Sequence, residues 1–297
     1  MKKIIAYLQG GLGNQCFIYA MARALSLRTK AELKFDARLF MMDKVFKRRL
    51  ELHQFACELP MARTISPLAG KVWNAFRLKA PWVLKLLTGH FVETKSTCVS
   101  DLVFDSSVRL DGYWQSEDYF KDFADQILDD LKLKEDSWVK DDLMAKEIQG
   151  HCNSIFLHIR SYMEAPSMKD GSGALPISYF RNALKYLEER LPEGHVFVFS
   201  DNLAWAKDKF AEMKSSKFGF TYVEPVETGK ISSQIRDFTL MRLCKHGVVA
   251  NSSFSWWAGW LGERERLKEC DEVIRIRPNR YVNNDHFWPE RWVAVDE

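Results

Sequence analysis

Short runs of apolar, β-branched and aromatic residues alternate along this chain with longer segments whose apolar residues recur every three or four positions. The first run, Lys3–Leu8, precedes a glycine-rich turn and then Cys16–Leu27, which has helical spacing. A strand, a turn and a helix in this order open a βαβ unit. The same criteria predict further strands at Glu32–Phe35, Arg109–Gln115, Ser154–Ile159, His195–Ser200, Phe218–Val223, Gly247–Ala250 and Glu272–Ile276.

Predicted helices separate most of these strands. They lie at 70–88 with a break near Pro81, at Ser116 to about Gln149, and at Ile177–Arg190, Leu203–Met213, Ile235–Cys244 and Phe254–Gly262. The alternation predicts an α/β protein of two doubly wound, Rossmann-like halves that face one cleft. Residues 1–150 form the first predicted domain, with a basic helical insertion at about 41–100, and residues 151–297 form the second.

The insertion is rich in lysine and arginine, with apolar and aromatic residues between the charges. Two interpretations stay open. A basic and aromatic helical face at 63–95 suits peripheral docking on an anionic membrane surface. The same pattern also suits a solvated helical insertion that covers part of the first domain.

Composition narrows the class of protein. The 297 residues are 46% hydrophobic and 28% charged, which is enough for a sizeable core, and the net charge of +3 argues against a nucleic-acid-binding protein. The six cysteines are scattered without metal-binding spacing, which predicts reduced thiols in a cytoplasmic protein, with peripheral contact at the inner face of the membrane as an option. The apolar run at the N-terminus is too short for a signal peptide, and no run reaches the length of a membrane span.

Asn251, Ser252 and Ser253 directly follow an apolar run, and all three are favoured N-cap residues for the helix that begins at Phe254. A helix that starts after a buried strand directs backbone N–H groups and the positive end of its dipole at one point, where hydroxyls such as that of Ser255 add donors. The stretch predicts a diphosphate pocket. The alternative is an ordinary capped core helix with buried tryptophans.

Charged and polar residues also end two other predicted strands, at His158 and Arg160 and at Asp201 and Asn202. Ligands of open parallel sheets bind outside the carboxyl ends of the strands. Arg160 can bind a diphosphate through its planar fork, or it can pair with an acid such as Glu164. Asp201 can accept hydrogen bonds from a guanine edge or a ribose, or it can cap the next helix.

The glycine turn before the first helix offers Gly11, Gly13, Asn14 and Gln15. Glycines allow close approach of a ligand to the backbone, and the two amides can donate and accept hydrogen bonds. The spacing matches neither the dinucleotide fingerprint nor the Gly-Lys-Ser/Thr phosphate loop. A tight structural turn is the alternative.

Further candidates lie at a strand end and in a loop. Trp114 and Gln115 end a predicted strand, and Glu164 and Asp170 lie in Ser161–Ala174, which has the composition of a mobile lid. We consider all four as candidates for acceptor contact or closure. The chain has no D-x-D pair to hold a divalent ion, so we expect no metal and no other cofactor.

Six segments together carry a resemblance to a known family. They are GGLGNQCFIYAMARAL from Gly10, GYWQSEDYF from Gly112, HIR from His158, PISYFRNAL from Pro176, FSDN from Phe199 and DFTLMRLCKHGVVANSSFSWWAGWLG from Asp237. In this order and over the whole chain they resemble the bacterial α-1,2-fucosyltransferases of glycosyltransferase family 11.

The resemblance implies a GT-B-like fold, GDP-β-L-fucose as donor, inversion at the anomeric carbon, no metal, and an α-1,2 linkage to a terminal galactose of a glycan. It implies that Arg160 grips the donor diphosphate, that Ser252 to Ser255 hold phosphate and base, and that Gly13 to Gln15 face the reacting sugar. We therefore expect Arg160, His158 and Asn14 to be the catalytic residues. The first domain would then serve the acceptor and the second would bind the GDP-sugar.

One departure from the family pattern concerns the segment after Arg160. The family motif HxRRxDY has a second arginine and an aspartate, whereas this chain continues with Ser161, Tyr162, Met163 and Glu164. Glu164 or Asp170 is a candidate replacement for the acid. The departure leaves open a different GDP-sugar or linkage, or an inactive homologue that binds a nucleotide or glycan.

Overall fold

The computed structural model describes residues 2–62, 67–165, 167, 173–226, 231–268, 272–279 and 286–297. The chain divides into two compact units, Met1–Lys134 and Glu135–Glu297. The sequence places the boundary at 150. The structure assigns the segment before 150 to the second unit, where Asp142 pairs with the buried Arg236 at 2.7 Å.

Unit 1 contains a four-stranded parallel sheet in the order β2-β1-β4-β3. Its strands are β1 (Lys3–Tyr7), β2 (Glu32–Asp36), β3 (His90–Val92) and β4 (Val108–Asp111), and its helices are α1 (Leu12–Thr29), α2 (Pro67–Lys79), α3 (Pro81–Thr88) and α4 (Ala124–Asp130). The break near Pro81 is confirmed, since Pro81 begins α3. Short 3-10 turns occupy much of the remaining insertion and the segment after Ser116.

The first helix begins at Leu12, four residues before the predicted start at Cys16. Gly10 makes this early start possible because its φ of +76° lies in the left-handed region that favours glycine. A Cβ at this position would also lie 2.7 Å from Asn14 Nδ2. Gly13, Asn14 and Gln15 therefore belong to the first helical turn and not to the preceding loop.

Unit 2 contains a six-stranded parallel sheet in the order β10-β9-β8-β5-β6-β7. Its strands are β5 (Ser154–Ile159), β6 (Gly194–Ser200), β7 (Phe218–Tyr222), β8 (His246–Val248), β9 (Arg275–Pro278) and β10 (Val293–Val295), and its helices are α5 (Leu143–Gly150), α6 (Ile177–Glu188), α7 (Leu203–Lys209), α8 (Ser233–Leu243) and α9 (Ser253–Arg266). Numbered along the chain from its first strand, this is the doubly wound order 3-2-1-4-5-6. The sequence predicted each of these strands except β10.

Both faces of the second sheet are covered. Ile155 and Leu157 on one face join a core that includes Tyr179 and Leu184 of α6 and Phe210 beyond α7. Phe156 points to the other face, where a Cβ on Gly259 of α9 would contact its ring at 3.5 Å. The helices on the two faces account for the uninterrupted apolar character of β5, because a parallel strand is buried on both sides.

Helices α8 and α9 pack closely because a glycine stands at their crossing. A Cβ on Gly262 would lie 2.5 Å from the backbone oxygen of Arg242. Three tryptophans of α9, Trp256, Trp257 and Trp260, are completely buried. They pack within the protein, as the core interpretation of this stretch predicts. Among the described residues, no helix combines the length and apolar character that crossing a membrane requires.

Candidate functional site

The sheet of unit 2 has a topological switch point between its neighbours β5 and β8. From β5 the chain continues to β6 on one side, and from β8 it continues to β9 on the other. Crevices for ligands form at the carboxyl ends of strands at such a point. Arg160 directly follows β5, and Asn251 lies three residues after β8. The structure thus brings these two predicted site residues to the same edge of the sheet.

Arg160 is held by two carboxylates. One terminal nitrogen donates to Asp201 and the other donates to Glu164. The guanidinium also lies over the ring of Tyr162, 4.8 Å from its centroid. The structure therefore shows the ion-paired interpretation of Arg160, while the residue also lies at the sheet edge where the sequence predicts a ligand.

Asp201 is the more firmly fixed of the two acids. One of its oxygens accepts a hydrogen bond from the backbone N–H of Ser161 at 2.7 Å, and the other accepts one from the Ser161 hydroxyl at 2.8 Å. Ser161 is completely buried. A serine at the position of the family's second arginine thus anchors the acid that holds Arg160.

Tyr162 connects Arg160 to the turn after β8. Its hydroxyl donates to the backbone oxygen of Asn251, while its ring lies under the guanidinium. Tyr162 has a φ of +57°, which is uncommon for a residue other than glycine. Backbone conformations of this kind occur often at functional sites.

The turn after β8 is built by its own serines. Ser252 is the N-cap of α9 and accepts from the N–H of Phe254 at 3.3 Å. The buried hydroxyl of Ser255 accepts from the N–H of Ala250 at 3.2 Å. These two hydroxyls therefore fix the shape of the turn. A ligand bound here would contact groups other than these hydroxyls.

Three such groups, on two residues, have no hydrogen-bond partner in the part of the chain that is described. They are the buried Oδ1 of Asn251 and both polar groups of Ser253, its N–H and its hydroxyl. Ser253 is the first residue of α9, where the helix dipole is positive. The corner thus offers anion-directed donors that the protein does not use itself.

His158 is part of the buried middle of the sheet. It is 4% exposed, and its ring lies 5.8 Å from that of Phe254. Burial, opposed by Asp201 and aided by Arg160, lowers the pKa of His158 to about 4, so the imidazole is neutral near pH 7. The sequence predicts a catalytic role for this residue. The burial and the weak basicity of His158 argue against a role in proton transfer. They favour a structural role, in which the ring packs beneath the start of α9.

Three further residues of unit 2 were predicted from the sequence to belong to the site: Asn202, Glu164 and Asp170. Asn202 caps α7 by accepting from the N–H of Trp205 at 3.1 Å, as the alternative interpretation of that strand end predicts. Glu164 contacts Arg160 as described. Asp170 lies outside the described residues.

In unit 1, Asn14 and Gln115 meet. The side-chain amide of Gln115 donates to Asn14 Oδ1 at 2.8 Å. Gly11 is the N-cap residue of α1, and a Cβ there would lie 3.9 Å from an Arg48 nitrogen. Two candidate residues separated by 101 positions in the sequence thus form one polar pair at the start of α1.

Gln15 has a structural role in place of the ligand contact we expected. Its amide is completely buried, donates to the oxygens of Gly10 at 3.0 Å and Arg49 at 2.8 Å, and accepts from the N–H of Glu51 at 2.9 Å. These three bonds join the 49–51 segment to α1 and leave no surface for a ligand. Sequence could not indicate this, because the partners lie on a loop without a pattern of its own.

Trp114 is likewise wrong as a candidate for acceptor contact, because it is completely buried. Its ring stacks on that of Phe91 at 6.2 Å and meets Tyr119 edge-on at 5.6 Å. The backbone N–H groups of Trp114 and Tyr113 both donate to Glu93 Oε2 at 2.7 Å. The residue forms part of the core behind the end of β4.

One polar cluster in unit 1 was missed by the sequence analysis. Asp111, at the end of β4, accepts from Arg77 at 2.8 Å and lies 3.3 Å from His90 Nε2 and 3.5 Å from Gln9 Nε2. Although burial alone would raise it, the pKa of Asp111 is held below its usual range by His90 and Arg77. Arg77 was counted with the basic face of the insertion, but the structure directs it to this acid. An acid at a strand's carboxyl end was the signal that could have found it.

Similarity to solved structures identifies the fold class of the protein. A structure of an Arabidopsis thaliana FUT1 mutant in complex with GDP is similar over 88% of this chain and 68% of that chain, with a TM-score of 0.51 and 17% identity. Together with the two parallel sheets, this confirms a GT-B-like α/β fold, the fold of one large class of glycosyltransferases.

The family follows from the sequence comparison. The chain belongs to glycosyl transferase family 11, whose model matches residues 66–272. It is 30% identical to the O-antigen biosynthesis glycosyltransferase WbnK of Escherichia coli, over 97% of this chain and 99% of that one. It is also 27% identical to an alpha-1,2-colitosyltransferase of Escherichia coli over the whole of both chains. The family resemblance is thereby confirmed, and the protein is a glycosyltransferase.

Proposed function

We propose that this glycosyltransferase moves L-fucose, with inversion, from GDP-β-L-fucose to the 2-hydroxyl of a terminal galactose in a glycan such as a surface polysaccharide. The observation that carries the proposal is the meeting of Arg160 with the Asn251–Ser255 corner at the switch point of unit 2. The names of the two bacterial relatives, one for O-antigen synthesis and one for an α-1,2 linkage, support the acceptor class and the bond.

In this proposal the diphosphate of GDP binds between Arg160 and the start of α9. When the bond between the sugar and the diphosphate breaks, its electron pair passes to the phosphate oxygen. The guanidinium and the N–H and hydroxyl of Ser253 stabilise that charge, which is the kind of interaction that most strongly accelerates such reactions. Cationic and N–H groups supply the charge, so the proposal requires neither a metal nor another cofactor.

Arg160 must exchange one partner to bind a diphosphate. Asp201 is anchored through Ser161 at 2.7 and 2.8 Å, whereas Glu164 has a side chain that is 36% exposed. We therefore assign Glu164 as the partner that the phosphate replaces and Asp201 as the one that stays. The glycan hydroxyl attacks from the opposite face of the sugar, and its proton leaves to a base that we do not assign.

The test is the variant Arg160→Ala assayed with GDP-fucose and lactose. We expect turnover to fall about 100-fold or more, the usual loss for one donor to a developing oxyanion. Arg181→Ala, which removes an exposed arginine paired with Glu212, is the matched control. Turnover of Arg160→Ala within a few-fold of wild type would exclude the assigned clamp.

A second donor is the main rival for the same site. Ser161 and Met163 stand where the family motif has arginine and aspartate, and one relative is named for colitose transfer. A GDP-release assay with GDP-fucose, GDP-colitose and GDP-mannose separates the alternatives. A thermal shift with GDP, but no turnover with any donor and acceptor pair, would instead favour an inactive nucleotide-binding homologue.

We also propose that the enzyme acts in the cytoplasm and docks on the anionic inner face of the membrane through α2 and α3. Phe76, Leu78 and Trp82 are 44%, 68% and 70% exposed, with Lys79 and Lys85 exposed beside them. Aromatic and cationic side chains together favour anionic lipid surfaces.

Vesicle sedimentation tests this contact. We expect binding to vesicles with phosphatidylglycerol, weak binding to vesicles of phosphatidylcholine alone, and a clear loss in Trp82→Ala with Lys85→Ala. The double variant Leu143→Ala with Lys146→Ala, at exposed positions of α5, is the control. Equal binding to both vesicle types would contradict the proposal.

A further inference from the structure

Three potential metal ligands meet at the amino end of the sheet in unit 2. Glu147 and His151 lie four positions apart on and just after α5, so their side chains share a helix face. His195 is the second residue of β6. One ligand atom from each of the three lies within 4.8 Å of those from the other two.

Contacts to the neighbouring strand orient the inner histidine. His195 Nε2 lies 2.8 Å from Thr221 Oγ1, and that oxygen lies 3.2 Å from Glu147 Oε1. The ring fits because its neighbour in β7 is Gly219, where a Cβ would lie 2.8 Å from Nδ1. Nε2 therefore faces the carboxylate, and the His151 ring is stacked on the same imidazole, with the ring centroids 4.5 Å apart and 27° between the planes. To bind one ion together with His195, His151 must turn out of this stack so that both rings direct a nitrogen at the ion.

The donor set is that of a transition-metal site. Two imidazoles and a carboxylate are ligands that Zn²⁺ accepts, with a water in the fourth position. Bonds of about 2.0 Å in a tetrahedron place ligand atoms about 3.4 Å apart. The ligand atoms, which now lie within 4.8 Å of one another, must therefore approach by up to about 1.4 Å. Glu147, on the exposed face of α5, has the freedom to move.

We propose that Glu147, His151 and His195 form a structural site for one divalent transition-metal ion such as Zn²⁺. The ion would join α5 to the edge of the sheet formed by β6 and β7. The site lies at the amino ends of these strands, whereas Arg160 and Asn251 follow the carboxyl ends of β5 and β8. It is therefore separate from the proposed transfer site, and its role would be stability.

The test uses protein without a polyhistidine tag, freed of metal by a chelator that is then removed. We expect calorimetric titration with Zn²⁺ to show one saturable site of micromolar affinity and the ion to raise the melting temperature. Substitution by Co²⁺ should give the strong visible absorption of a four-coordinate ion. His151→Ala should weaken Zn²⁺ binding at least tenfold, and His53→Asn, an exposed histidine of unit 1, should leave it unchanged.

Glu147→Gln provides a second test that does not depend on the partly buried His195. It keeps the size of the side chain and should weaken Zn²⁺ binding several-fold. Absence of saturable binding in the wild-type protein, or equal affinity in His151→Ala and His53→Asn, would overturn the proposal. GDP affinity and turnover should be the same in Glu147→Gln and wild type, so failure here is distinguishable from failure of the proposed function.

Discussion

The two units place polar residues at the ends of parallel strands and the start of a helix, but they use those residues differently. In unit 1 the candidate side chains at these positions bond within the protein: Gln15 makes three hydrogen bonds, and Asp111 is paired with Arg77. In unit 2, Ser253, Asn251 Oδ1 and Asp237 Oδ1 have no hydrogen-bond partner among the described residues.

This difference shows that a polar motif at a helix start can serve either the fold or a ligand. A buried amide with all its bonds made inside the protein stabilises the fold and has nothing left for a ligand. A buried polar group without a partner costs free energy unless a ligand or water satisfies it. GNQ and NSSFS both lie at the start of a helix, yet the buried amide of Gln15 is fully bonded, whereas Ser253 has no hydrogen-bond partner among the described residues. Four variants test this contrast, from the largest effect to the smallest.

The largest effect should come from Gln15→Ala. The change leaves the backbone groups of Gly10, Arg49 and Glu51 without their partner and opens a cavity beside α1. We expect a loss of roughly 3–4 kcal/mol in the free energy of unfolding. Denaturant unfolding measures it, with Asn14→Ala as the control that should lose much less. A stable Gln15→Ala protein with a raised donor KM would instead make Gln15 a ligand contact.

The next effect concerns Asp237, a half-buried acid of α8 whose Oδ1 atom is buried and which was not among the candidate site residues. Burial, partly opposed by Arg236, raises the pKa of Asp237 from 3.8 to about 7. Burial of this carboxyl group therefore lowers the free energy of unfolding in a way that depends on pH. The loss is absent below about pH 4, grows as pH rises because only the unfolded state ionises, and is complete above about pH 7.

Asp237→Asn should therefore remove a pH dependence. Relative to wild type, we expect the variant to gain roughly 2–3 kcal/mol of unfolding free energy between about pH 5 and about pH 8. Unfolding at the two pH values measures the difference, and Asp208→Asn, at an exposed position of α7, is the control. A constant difference across this range would mean that Asp237 titrates normally or has a partner in solution.

The third variant, Ser253→Ala, separates binding from stability. Because neither polar group of Ser253 has a partner among the described residues, the hydroxyl can be removed without loss to the fold. We expect GDP affinity to fall about 10-fold or more, the contribution of one hydrogen bond to a charged group, with an unchanged melting temperature. Ser233→Ala, at the equivalent first position of α8, should change neither quantity. A lower melting temperature with unchanged GDP affinity would contradict the contrast between the two units.

Sequence predicted the sheets well because their strands are short apolar runs between clear turn signals. It also placed Arg160, Asp201 and Asn251 correctly at carboxyl ends, since that follows from strand order alone. It could not predict which polar groups form hydrogen bonds or ion pairs within the protein and which stay available to a ligand. Arg160 and Asp201 are 41 positions apart, and Gln15 and Arg49 are 34 apart, so their pairing exists only after folding. Trp114 and Arg77 were misassigned for the same reason: sequence does not give the direction of a side chain.

The smallest effect should come from Glu164→Gln, and it tests whether Arg160 is held in reserve for a ligand. The carboxylate of Glu164 competes with a phosphate for the same guanidinium, and its side chain is 36% exposed, so its ion pair is weak. Removing the charge while keeping the size should raise GDP affinity about threefold, because Arg160 then has one fewer carboxylate that competes with the phosphate. Fluorescence or calorimetric titration with GDP measures the change, with Glu189→Gln at an exposed pair as the control. A fall in affinity would mean that Glu164 contacts the nucleotide, and the chain would then use this acid in place of the family's missing aspartate.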